Sequence, residues 1–140
     1  MLYDLSMSES NKYENLKSNF VSTVYVIQEI AGTRAGNPKI NIMGASNYSS
    51  SGKFHFLLSE FSQMIFSPGP LIYKLRQGLK NFKVGDYLLL TGDPAIIGVA
   101  CSIVSDITHG KYSVLKWDKQ ERKYYPIEIN LYEKGEIDDN

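Results

Sequence analysis

The sequence has a single cysteine, no excess of either charge and no long apolar run, and each shortage removes a class of protein. A lone Cys101 can form neither an intramolecular disulfide nor a cysteine-rich zinc site, so a reducing compartment is expected. Fifteen Lys and Arg balance fifteen Asp and Glu, leaving no overall field to draw the chain onto nucleic acid or an anionic membrane. The longest apolar stretch, Ala95 to Cys101, falls far short of the roughly 20 residues that cross a bilayer. No basic segment leads into an apolar run near Met1, so no secretory leader is expected. The two histidines, His55 and His109, have no metal-ligand partner at suitable spacing. Neither GxGxxG nor GxxxxGKS/T occurs, which leaves nucleotide sites of those types unsupported.

What is present describes one folded domain. The chain has 140 residues, enough to bury a core and too few for two ordinary domains with a linker. A hydrophobic content of 43% against 21% charged separates it from disordered and coiled-coil chains. Residues 1–18 mix Ser, Asn, Lys and Glu with scattered apolar positions; ordering them would recover little buried area, and a flexible arm is expected. Residues 133–140 form an acidic tail. The folded unit is then 19–132.

Within it, Phe20 to Ile30 is rich in β-branched and aromatic residues and reads as a buried strand. Ile40 to Met43 alternates apolar and polar as a short second strand would. The stretch 54–66 fits either period, and a strand is expected over about 53–58. Leu71, Ile72, Leu75, Leu79 and Phe82 share one helical face, so 70–82 is expected to be a helix. Its other face carries Lys74, Gln77 and Lys80, with Arg76 and Lys83 nearby, a stripe that is either simply solvated or able to touch an anionic partner. Tyr87 to Leu90 reads as a central strand. In Thr91-Gly92-Asp93-Pro94, Gly92 permits a sharp turn, Asp93 can bond free amides and Pro94 suits a first helical position. A helix is expected from there to Ile107, with Gly98 as a close-contact point. Lys111 to Trp117 and Tyr124 to Leu131 then read as a hairpin, with Pro126 placing the last strand at a sheet edge or a bulge. The whole is an α/β fold with a mixed sheet of five or six strands. At its centre is a Rossmann-like strand-helix-strand core over about 84–118, whose two strands run parallel.

In open α/β sheets ligands bind beyond the carboxyl ends of parallel strands. That rule selects Thr91, Gly92, Asp93 and, leaving the neighbouring strand at the same edge, Asp118. Adjacent strands would bring Thr91, Asp93 and Asp118 within roughly 5 to 10 Å of one another. Two carboxylates and a hydroxyl there could hold Mg²⁺ with a bound phosphate, or position a water. Asp93 is equally well explained as a helix cap and Asp118 as a turn residue. Apart from that Mg²⁺, no cofactor or metal is expected. A second candidate surface gathers Tyr112, Trp117, Tyr124 and Tyr125 around the final hairpin, where aromatic rings can anchor a protein partner and an edge strand can pair with a second copy. Cys101, inside an apolar helix, is expected to be a packed thiol.

The stretches DYLLLTGDPAIIGVA and VLKWDKQERKYYPIEI, together with VYVIQE and SPGPLIYKLRQGL, resemble small α/β proteins encoded by tailed bacteriophages. The resemblance covers most of the folded unit and implies a phage origin; it carries no catalytic residues. Joined to the missing catalytic constellation, it favours a non-enzymatic accessory protein, acting in the host cytoplasm by binding a host or phage component. Two alternatives stay open. One is a small-molecule or nucleotide-binding protein, or weak Mg-dependent phosphohydrolase, at the carboxyl edge. The other is a minor virion or assembly protein.

Overall fold

The structure, a computed structural model, describes residues 21–30, 42–63 and 68–134. The elements run β1 (Val24–Gln28), a 3-10 helix (Met43–Tyr48), β2 (Phe54–Leu58), α1 (Gly69–Leu79), β3 (Tyr87–Leu89), α2 (Pro94–Thr108), β4 (Lys111–Asp118) and β5 (Lys123–Asn130). The strands form one sheet in the order β2-β1-β3-β4-β5. β1 pairs parallel with β2 and β3, β3 pairs parallel with β4, and β5 closes the hairpin antiparallel to β4. Tyr87 to Leu89 therefore lies beside and parallel to Ser113 to Leu115, with α2 between them in sequence.

β3 is the central strand, and β1, between it and the edge strand β2, is apolar on both faces. Tyr25 and Ile27 join Leu88, Val114 and the inner faces of both helices in one core, whereas Val24 and Val26 join Leu89, Leu115, Tyr124, Ile42 and Ala45 in a second core across the sheet. Strands covered on both sides need such continuous apolar runs. α1 buries Leu75 and Leu79, and α2 buries Ile96, Ala100, Ile103 and Val104, the spacing of a helical stripe. Both helices pack against the Tyr25 and Ile27 face. The opposite face carries the 3-10 segment, which Ser22 holds in place: its hydroxyl donates to Tyr48 O (2.6 Å), and its backbone exchanges bonds with Ser50.

Beside β1, the buried Asp86 (1% exposed) fixes the start of β3. Its carboxylate accepts from Thr23 N (2.9 Å), Lys83 N (3.0 Å) and Lys83 Nζ (2.8 Å). Lys83 Nζ also donates to Val21 O (2.6 Å), so Lys83 is drawn away from the basic stripe of α1.

Three expectations are corrected. No strand forms at Ile42 and Met43, so among the described residues the sheet has five of the five or six strands expected; Ile40 and Asn41 lie outside the described residues. Gly44, Ala45 and Ser46 are small enough to close local turns instead, with Ala45 N donating to Ile42 O and the Ser46 hydroxyl to Met43 O. A four-residue alternation is too short to outweigh that local bonding. α1 stops at Leu79, and Phe82 reaches the core from the turn after it. Gly98 faces solvent with no atom near its missing Cβ, and the close approach occurs at Gly78. The arm over 1–18 and tail residues 135–140 lie outside the described residues.

Candidate functional site

The strand order reverses direction between β1 and β3, and their carboxyl ends diverge into separate crossovers at that point. A cleft opens there in doubly wound sheets. Here it measures about 550 Å³ and is lined by Glu29, Glu60, Phe61, Gly92 and Asp93 around the Gln28 side chain.

Gln28 determines its shape. This last residue of β1 is only 5% exposed, and a buried amide needs all its partners. Its Oε1 accepts from Asp93 N (2.9 Å), and its Nε2 donates to Ser62 O (2.8 Å) and Ser59 O (3.2 Å). One side chain thus ties β1 to the turn after β2 and to the elbow after β3. Thr91, also buried, adds a second tie, its hydroxyl donating to Gln28 O (2.8 Å). Gly92 has φ of 103°, and a Cβ there would fall 2.5 Å from Gln28 Cβ. The elbow demands glycine for backbone conformation and space together. Asp93 then caps α2, its Oδ1 accepting from Ala95 N (2.7 Å), with Pro94 in the first turn.

Of the four residues selected at this edge, Gly92 and Asp93 line the cleft and Thr91 lies buried beneath it. Asp118 does not line it. Its carboxylate accepts from Gln120 N (2.9 Å) and Glu121 N (3.4 Å) at the head of the β4-β5 turn. Among the described residues, no three His, Cys, Asp or Glu side chains gather in a way that could hold a metal ion. Gln28, the organiser, escaped sequence reasoning; the signal available was a polar residue ending the apolar run Val24–Gln28.

The aromatic group on the hairpin divides by strand alternation. Trp117 and Tyr124 are directly opposed and stack edge-on at 5.0 Å on the face bearing the 3-10 helix, Trp117 43% exposed and Tyr124 7%. Tyr112 lies on the helix face, as does Tyr125, whose register partner Lys116 shares the parity of Tyr112. These four rings do not form one surface. Tyr112 instead meets Cys101, and the two share a hydrogen bond. Burial pushes the Cys101 thiol up from its ordinary value, only partly offset by that bond. A thiol held in its neutral form is a poor nucleophile.

β5 is an edge strand carrying Pro126, as expected. Leu90 N donates to Leu115 O, so the Leu115 peptide groups face β3 and its partner Pro126 turns its nitrogen to the open side. That is the position a strand proline tolerates.

Set against known proteins, the profile of the phage Pam3 gp32-like protein family matches residues 22–131, a span containing every strand and helix described above. No curated protein and no solved structure matches the chain.

Proposed function

We propose that this chain, which belongs to the phage Pam3 gp32-like protein family, is an accessory protein of infection that works by binding a host or phage component, with the cleft between β1 and β3 as its contact surface. No helix among the described residues is long and apolar enough to cross a membrane, and the proposed place of action is the host cytoplasm.

The observation carrying this reading is the commitment of the polar groups at the carboxyl edge. The Gln28 amide, the Thr91 hydroxyl and the Asp93 carboxylate all bond protein backbone. They support the shape of a preformed hollow. Phe61 stands 81% exposed on its lip, beside Glu60. A large ring exposed at the rim of a preformed cleft is the type of anchor that dominates protein interfaces. The carboxylates of Glu60 and Asp93 favour a basic or neutral group at its centre and oppose a phosphate.

The test compares the wild type with Phe61→Ser and Tyr125→Ser as baits in infected-cell lysate. A component retained by the wild type and Tyr125→Ser but lost from Phe61→Ser supports the reading; equal retention by all three overturns it. Thermal shift against nucleotides with and without Mg²⁺ addresses the ligand-binding alternative. A ligand at one hundred times its Kd adds about 2.7 kcal/mol, and such a gain would replace a protein partner with a nucleotide.

A further inference from the structure

We propose that the open edge of β2, with the ridge of α1 beside it, is a docking groove for an extended acidic segment of a partner protein, which adds to the sheet as a sixth strand. The groove is separate from the cleft between β1 and β3 and does not depend on its function.

β2 ends the sheet. Leu58 O accepts from Glu29 N (2.9 Å), so strand alternation turns the peptide groups of Phe54, Phe56 and Leu58 toward β1 and those of His55 and Leu57 outward. Among the described residues, no backbone donor or acceptor meets those outward groups. Between this edge and α1 runs a groove of about 470 Å³. Its wall, formed by α1 and the turn after it, presents Lys74, Gln77, Lys80 and Asn81, and no carboxylate of the described residues lines it. Gly78 brings that wall close: a Cβ there would sit 2.7 Å from Leu57 Cδ2. The stripe on α1 thus overhangs a strand with free ladder positions.

The two edges of the sheet are managed differently. β5 carries Lys123 and Glu128, with Pro126 in the middle of its open side, the devices that prevent strand addition. β2 reads FHFLL, with no Lys, Glu, Asp or Pro. An edge left unguarded beside a groove suits recognition by strand addition, in which main-chain bonds supply affinity and alternate side chains supply specificity. Residues of the incoming strand that face α1 meet Lys74 and Lys80 and are therefore acidic; their neighbours face the Phe54 and Phe56 side and are apolar. A second copy fits badly. Two-fold pairing of β2 with itself sets the lysine ridge of one α1 beside that of its partner, and facing like charges oppose association.

The probe is the peptide amide Val-Glu-Val-Glu-Val-Glu-Val carrying fluorescein on its N-terminal amine, titrated with the full chain. Saturable binding is expected, together with slowed hydrogen exchange at the His55 and Leu57 amides. The exposed double variant Lys74→Glu/Lys80→Glu is expected to weaken binding at least tenfold, and the same peptide with Lys for Glu is expected not to bind. His55→Pro, which transfers to β2 the device of Pro126, is expected to abolish binding; the charge-reversed variant carries the test if His55→Pro does not fold. Each of these results overturns the proposal: no saturable binding by the wild type, equal binding by the charge-reversed variant, unchanged exchange at His55 and Leu57, or tighter binding of a single-stranded oligothymidylate. A wild-type dimer that already protects those two amides without peptide also overturns it, by making a second copy the occupant.

Discussion

Gln28 has the largest structural role of any single side chain at the cleft, joining segments 31, 34 and 65 positions away in sequence. Replacing it with Leu keeps the volume and removes three hydrogen bonds, leaving Asp93 N, Ser62 O and Ser59 O to find water. At about 1 kcal/mol net for each bond, Gln28→Leu is expected to lower stability by roughly 2–3 kcal/mol, read as a fall in the urea midpoint with the slope unchanged. Fluorescence of the only tryptophan, Trp117, half-exposed against Tyr124, reports the transition. Nothing local in Ile27-Gln28-Glu29 announces this role, because each partner arrives by folding. Gly92 and Asp93, by contrast, were legible: their constraints, a left-handed elbow and a helix cap, are met by their own neighbours.

Among the elements, the turn into α2 and the strands with dense apolar runs, β2 and β3, fall where the sequence places them, whereas the end of α1 and the short alternation before the 3-10 helix do not. The turn into α2 has a glycine, a capping carboxylate and a proline in sequence, and its helix begins where these place it. Asp93→Ala removes the cap and is expected to cost about 1 kcal/mol, measured by thermal or urea unfolding. The strand expected at Ile40–Met43 rested on alternation alone, and in its described part Ile42 and Met43 open a 3-10 helix instead. The hairpin was legible from its two β-rich runs. The division of its aromatic rings between two faces was not, because it follows from register. The same register puts Pro126 on the open side of β5. Pro126→Val restores an outward N–H at the middle of that side and is expected to cause concentration-dependent association, seen in sedimentation as a species absent from the wild type at equal concentration.

At the scale of the whole molecule, one thiol and three phenols among the described residues change their proton affinity on folding. Burial pushes Cys101, Tyr25, Tyr112 and Tyr124 up from their ordinary values; the Asp86 charge adds to Tyr25, and Cys101 adds to Tyr112. Below about pH 8.5 these groups are neutral whether the chain is folded or not. As pH rises further, the unfolded chain releases its protons first and binds fewer than the native state, so stability falls with pH. The urea midpoint is expected to hold steady from pH 7 to 8 and then decline toward pH 11. In Cys101→Ala the onset moves up to the tyrosine range, about pH 10.

The guarded side of the sheet also limits assembly. A surface that accepts one strand and offers none in return terminates after a single addition, so the proposed segment is expected to bind at one per chain. Head-to-tail growth needs two complementary ends, and Pro126 interrupts ladder bonding in the middle of the β5 end.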